Sequence, residues 1–382
     1  MIELTSKLPH VGTTIFTVMS SLAEEVGAIN LAQGFPDYDP PERLKQLVEK
    51  HIRAGRNQYA HMAGVAELRE AIAEKLQRSY GRAFDPDSEV TITLGATEAI
   101  FSAILALVHP GDEVILLDPS YDSYAPAVVL AGGRPVHLPL QPPAFKVDWE
   151  AVRAAVTPRL RMIVINTPHN PTGSIVEPAE LDRLADILDG TNAFVLADEV
   201  YEHMVFDGVE HASILRNARL FERGMAVFSF GKSMHATGWR IGYAVAPAGI
   251  TRELRRVHQF NTFSIAAPLQ YAIADFLREA PEHNDGLSAF YQRKRDLFLD
   301  ALRGSRFTWT PSRGTYFQLL DYSAISSLPD VEFAETLARR YGVASIPVSV
   351  FYAEPPTLSV VRFCFAKNDA TLEQAAERLR KL

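Results

Sequence analysis

The chain has 382 residues, 47% of them hydrophobic and 22% charged, with a formal net charge of −8. That length exceeds one ordinary core and suits two domains, or one large domain with a satellite, in a soluble globular protein. The acidic balance, without any basic block, argues against nucleic acid or an anionic membrane as a partner. No apolar run approaches a bilayer span. The N-terminus MIELTSKLPHVGTTIF lacks a basic n-region followed by an apolar h-region, so no secretory signal is expected. One cysteine, Cys364 in VVRFCF, rules out an internal disulfide, reads as a small buried hydrophobe and suits a reducing, cytoplasmic location.

In chain order, EVTITL (89–94) predicts a strand and TEAIFSAILALV a helix. DEVILLD (112–118) predicts a strand ended by PSYDSY, and LRMIVIN (160–166) a strand ended by TPHNPTG, followed by the helix EPAELDRLADIL. AFVLAD (193–198) and MAVFSF (225–230) complete five apolar strands. Near-continuous apolar strands alternating with helices imply a mostly parallel sheet covered on both faces, an α/β fold. From about Pro281 the pattern changes. A long charged helix (FYQRKRDLFLDALRG), a strand pair, the helix VEFAETLARRY, one more strand and a last helix predict a smaller α+β domain. The expected division is a large α/β domain over 40–280 and a small domain formed by 1–39 with 281–382.

In an open α/β sheet, ligands sit outside the carboxyl ends of the strands, and polar residues collect there. GATEA after the first strand offers free N–H groups at a helix start, which suit a phosphate, although a plain strand-to-helix turn fits it as well. NTPHNPTG makes a stiff loop carrying Asn170. Asp198 follows FVLA, so its carboxylate is partly buried and needs a partner; Glu199 points elsewhere, solvated or capping. SFGKS places Lys232 just past the fifth apolar strand, with Arg240 eight residues on and no acid between them. Together these residues match the needs of pyridoxal 5′-phosphate. The lysine amine bonds the aldehyde when neutral, the acid holds the pyridine nitrogen protonated, hydroxyl and amide donors hold the ring oxygen, and Ser229 and Arg240 serve the phosphate.

NTPHNPTG, ADEVYEH and SFGKSMHATGWRIGY resemble class I aminotransferases of pyridoxal-phosphate fold type I. GTTIFTVMSSLAEEVGAINLAQGFPDYDPP and NQYAHMAGVAELREAI narrow the resemblance to the kynurenine, glutamine and methionine aminotransferase subgroup, nearest its bacterial methionine branch. The likeness runs from about Leu8 to the last helix. It implies Lys232 as the Schiff-base lysine and proton carrier, Asp198 as partner of the pyridine nitrogen and Tyr201 as donor to the ring oxygen. It gives Asn170 contacts with both ring oxygen and substrate carboxylate, and puts Ala96, Thr97, Ser229 and Arg240 at the phosphate. Tyr121 would stack on the ring. Tyr59 would reach the phosphate from a partner subunit in a homodimer with shared sites. Arg362 and the Gly34 backbone would hold the substrate carboxylate, with Phe16 and the partner's Phe263 near its side chain. Two positions depart from the family pattern: Arg240 where relatives often have lysine, and Thr97 where some have tyrosine.

Read without the resemblance, Arg362 in LSVVRFCF is a strand-edge arginine with its head in water, and Tyr59, Tyr121, Phe16 and Phe263 are ordinary core or surface aromatics. His10, His169, His203, His235 and His258 have no metal-helix spacing and read as structural or loop residues. The implied activity is transfer of an amino group from an apolar, thioether or aromatic amino acid to a 2-oxo acid by ping-pong half-reactions, methionine leading, with glutamine, phenylalanine, tyrosine or kynurenine following. A carbon–sulfur β-lyase acting on cysteine conjugates is the alternative on the same fold. A ligand-sensing regulator would carry a DNA-binding module, for which a fold starting almost at Met1 leaves no expected place.

Overall fold

The structure, a computed structural model, describes residues 4–382. After a short first strand, β1 (Ile29–Asn30), the chain builds a seven-stranded sheet. Its strands are β2 (Val90–Thr93), β3 (Glu113–Asp118), β4 (Arg134–Pro139), β5 (Leu160–Asn166), β6 (Phe194–Asp198), β7 (Gly224–Ser229) and β8 (Gly242–Val245), in the order β2-β8-β7-β6-β5-β3-β4. Only β8 runs against its neighbours; β7, β6, β5, β3 and β4 pair in parallel. The carboxyl ends of β2, β3, β5, β6 and β7 therefore share one edge.

Alternation along each strand sends side chains to two separate cores. Val114, Leu116, Met162, Val164, Leu196 and Val227 pack with Ile100 and Ile104 of the Gly95–Leu107 helix. Ile115, Leu117, Ile163, Ile165, Val195 and Phe228 pack on the opposite side with Trp149, Leu181 and Leu184. With both faces dry, each fully buried aliphatic side chain contributes about 1.5–3 kcal/mol, which explains strands without a polar phase.

Two of the seven strands were not foreseen. β4 carries Pro135 and Pro139 and lies half-exposed at the sheet edge, where the missing N–H groups cost no ladder bond. β8 is only four residues long and follows the 3-10 helix Thr237–Trp239.

The C-terminal part contains β9 (Phe317–Asp321), β10 (Val343–Ala344), β11 (Ile346–Pro347) and β12 (Val360–Cys364). β11, β12 and β9 make an antiparallel sheet with β12 in the centre, and β1 pairs in parallel with β10. Met19, Leu22 and Leu31 share a core with Phe333, Leu337, Phe363 and Leu372, so the first residues pack with the last. The expected strand pair before residue 330 is one strand, β9, with an isolated bridge from Thr308 to Asp321. The single strand expected after the Asp330–Tyr341 helix is three short ones. The long charged helix spans Glu282–Ala301, beginning before its charged stretch. Among the described residues no helix is long and apolar enough to cross a membrane.

Candidate active site

The polar residues at the strand ends converge. One cavity is lined by Ala96, Thr97, Tyr121, Asn170, Asp198, Tyr201, Ser229, Lys232 and Arg240, together with Asn166, Ile100 and Val200. Ser229 ends β7, and the one-turn helix Phe230–Ser233 brings Lys232 to the cavity. The Lys232 Nζ donates to the Tyr316 hydroxyl at 3.0 Å and lies 3.5 Å from the Gly34 carbonyl oxygen. No carboxylate is bonded to it among the described residues. Burial disfavours the ammonium and lowers its pKa to about 8, with Arg240 and Arg362 adding to the effect.

Asp198 ends β6, buried at 5% exposure. Its Oδ2 accepts the Tyr124 hydroxyl at 2.6 Å and its Oδ1 the Val200 N–H at 3.3 Å. Burial pushes its pKa up to about 6, and these two donors pull it the other way. The loop behind it is fixed from β5: the Asn166 side-chain amide donates to the Asp198 carbonyl oxygen at 2.8 Å, and its Oδ1 accepts the Asn170 N–H at 2.7 Å. Tyr201 is buried against Tyr316, rings 5.1 Å apart and edge-on, and burial raises its hydroxyl pKa well above the usual range. Glu199 is not solvated. It is fully buried, accepts the Ile214 N–H at 3.0 Å at the start of a short 3-10 helix, and lies 2.8 Å from His211.

The Gly95–Leu107 helix opens on the cavity with Gly95 at φ +72°, a conformation that favours glycine. A Cβ there would lie 2.7 Å from Arg240 Nη2, so the guanidinium packs directly on the first turn. Gly242 in turn lets β8 lie against the start of that helix: a Cβ on it would meet the Gly95 carbonyl carbon at 2.8 Å and the Ala96 nitrogen at 2.9 Å. The first N–H groups of that helix have no partner within it. Glu98 fixes the turn, accepting the Leu94 N–H at 3.1 Å and facing His258 Nδ1 at 3.0 Å, while His258 Nε2 lies 2.8 Å from the Met62 carbonyl oxygen.

Arg362 overturns its water-facing reading. β12 is the central strand of its sheet, and the side chain is fully buried over the Phe317 ring at 3.9 Å. Nη1 donates to Asn170 Oδ1 at 2.7 Å and Nη2 to the Ala32 carbonyl oxygen at 2.9 Å; Nε is buried with no partner among the described residues. Burial lowers its pKa to about 10, leaving it cationic at neutral pH. Phe16 lies 5.3 Å from this guanidinium and packs on Phe351. Gly34 meets the site through its carbonyl, which accepts the Tyr316 hydroxyl at 2.5 Å.

Tyr59 and Phe263 are not brought to this cavity by their own chain. They are 83% and 54% exposed and touch each other edge-on, ring centres 5.2 Å apart. Three residues of the site were missed: Asn166, Tyr124 and Tyr316. Asn166 stood visible as the polar end of an apolar strand. Tyr124 and Tyr316 gave no local signal, because their partners lie 74 and 84 residues away.

The sequence model of the family described as aminotransferase class I and II matches residues 26–379. The chain belongs to the class I and II aminotransferases. This aminotransferase is 53% identical to the methionine aminotransferase of Escherichia coli strain K12, over 99% of its own length and 98% of the relative's. It matches a crystal structure of an Escherichia coli protein reported to have a methionine aminotransferase function, with TM-score 0.98, 52% identity and 100% of both chains covered. It also matches N-succinyldiaminopimelate aminotransferase from Mycobacterium tuberculosis, with TM-score 0.95, 40% identity, and 99% and 100% coverage. The aminotransferase is thus a transaminase acting on amino and oxo acids, with the α/β fold of its class.

Proposed function

We propose that this enzyme moves the amino group of a thioether or aromatic amino acid, methionine foremost, to a 2-oxo acid in two half-reactions, using pyridoxal 5′-phosphate in the cytoplasm. The observation that carries the reading is the pairing of a desolvated, carboxylate-free Lys232 amine with the buried Asp198 carboxylate across one cavity. The cofactor fits the donor set. The Gly95–Thr97 turn with Arg240 and Ser229 would hold its phosphate, Tyr121 would cover the ring, Asp198 would face the ring nitrogen, and Tyr201 and the Asn170 amide would hold the ring oxygen. Bound there, it would supply an aldehyde for the amine and an electron sink for the substrate α-carbon. Lys232 would accept the α-proton at Nζ, as its lowered pKa allows. Arg362, with an unpartnered Nε, would bind the α-carboxylate and orient that proton toward Lys232. The proposed boundaries of the two domains are residues 40 and 280.

Phe16, Phe351 and Phe317 surround the guanidinium, a wall suited to thioether and aromatic side chains. An aspartate side chain placed there without a second cation would cost about 3–5 kcal/mol as an uncompensated charge. With one fixed 2-oxo acid, kcat/KM for methionine should exceed that for aspartate by at least about 100-fold, and glutamine, phenylalanine, tyrosine and kynurenine should fall between. Aspartate outrunning methionine would refute the pocket assignment. Release of pyruvate and ammonia from a cysteine conjugate, with no need for an oxo acid, would favour the lyase reading, for which the relatives give no support.

We further propose a homodimer with shared sites. Exposed Tyr59, Phe260 and Phe263 support it, since large aromatics grouped in water are uncommon on a monomer. Mixing Lys232→Ala subunits with Tyr59→Phe/Phe263→Ala subunits should restore activity in the heterodimer, where one site carries neither lesion. Failure of complementation, with heterodimers present by mass spectrometry, would contradict the sharing of sites between subunits.

A further inference from the structure

The PSYDSY turn places two tyrosines at the site, and only one has been given a role. Tyr121 and Tyr124 are joined by a bond from the Tyr124 N–H to the Tyr121 carbonyl oxygen (3.1 Å), and their rings meet edge-on at 5.7 Å. Tyr121 faces the cavity. Tyr124, 3% exposed, points beneath it and gives its hydroxyl hydrogen to Asp198 Oδ2 at 2.6 Å, the length of a bond to an ionised acceptor. We propose that Tyr124 is the positioning residue that keeps Asp198 ionised and aimed at the ring nitrogen of the cofactor. This rests on the reading of Asp198 given above.

The groups around Asp198 are few. Tyr121 and Tyr124 face it from the turn, Glu199 and Tyr201 from the exit of its own strand, and Lys232 from beyond β7. Glu199 repels the carboxylate and Lys232 attracts it, without touching it. Among side chains, the Tyr124 hydroxyl is the one that bonds it in the described residues. The other donor is the longer contact from the Val200 N–H. A hydrogen bond donated to a carboxylate stabilises its ionised form, so removing the hydroxyl raises the proton affinity of Asp198. A protonated Asp198 can no longer hold a proton on the ring nitrogen. Tyrosine suits this task because its ring also packs in the core beside Val164 and Leu196.

The test compares Tyr124→Phe, which keeps the ring and removes only the hydroxyl, with Asp198→Asn and the parent holoenzyme. Three quantities are read: kcat/KM for methionine from pH 5.5 to 9.5, the dissociation constant of pyridoxal 5′-phosphate at pH 6 and pH 8.5, and the thermal midpoint. In Tyr124→Phe the acid limb of kcat/KM should move up by about one pH unit, the effect of one bond to a charged group on proton affinity. The variant should then be about tenfold slower than the parent below that limb and within a few-fold at pH 9. Cofactor affinity should weaken at pH 6 and recover at pH 8.5. A uniform rate loss with an unmoved limb would make Tyr124 a packing residue and overturn the proposal. So would parent-like behaviour of Tyr124→Phe while Asp198→Asn is impaired. If Asp198→Asn itself matches the parent, the reading of Asp198 fails first. A Tyr124→Phe midpoint far below the parent's, without the pH-dependent recovery, also counts against it.

Discussion

Lys232→Ala should lower turnover by at least about 10⁴-fold, the upper range for losing a positioned general base, with a further loss from its proposed role as the amine that bonds the cofactor. The parent amine is held by Tyr316 and the Gly34 carbonyl, with no carboxylate on it among the described residues, and burial lowers its pKa to about 8. A lowered pKa means the neutral, proton-accepting amine becomes dominant as pH rises through about 8, instead of near 10.5. In stopped-flow measurements, uptake of pyridoxal 5′-phosphate by the parent apoprotein should therefore rise with pH and level off above about 8. Lys232→Ala should still bind the cofactor through the Gly95–Thr97 turn, Ser229 and Arg240, with no such pH dependence. Lys232→Arg, charged at every accessible pH, should be as slow as the alanine variant. Substantial turnover in either variant would mean that another group takes the α-proton.

The second large effect is expected at Asp198. Asp198→Ala should slow single-turnover α-proton removal by about 10²–10³-fold, the range for losing one preorganised electrostatic group facing a reacting centre. It should also lower the thermal midpoint, because the buried Tyr124 hydroxyl and Val200 N–H lose their acceptor. Asp198→Glu should retain part of the rate, limited by how far the longer side chain shifts from that pair. Parent-like rates with deuterated and protonated methionine in Asp198→Ala would contradict the role.

The fold was readable wherever burial was local. The stretches 112–118, 160–166 and 193–198 are apolar runs ended by a polar residue; Asn166 and Asp198 line the cavity because parallel strands bring their carboxyl ends together, whereas Asp118 pairs with His137 and the Ala353 N–H. β4 escaped because its prolines are tolerated only at an edge, and edge position is a property of the whole sheet. Arg362 is the clearest case of a residue whose fate depends on distant chain. Within LSVVRFCF it looks water-facing. It is buried because Asn170 and the Ala32 carbonyl, 192 and 330 residues away, satisfy its guanidinium. Only the family resemblance marked it. Tyr124 and Tyr316 also bond to distant partners, 74 and 84 residues away, and nothing local singled them out. Tyr59 and Phe263 were marked by resemblance alone, and in one chain they remain on the surface.

The most direct measurement is borohydride reduction of the holoenzyme followed by peptide mapping. Reduction should fix the cofactor in one-to-one stoichiometry on the peptide that carries Lys232, with loss of the visible absorbance and of activity in parallel. A label on any other lysine, or full activity after complete reduction, would contradict the assignment of Lys232 and with it the proposed chemistry of the site.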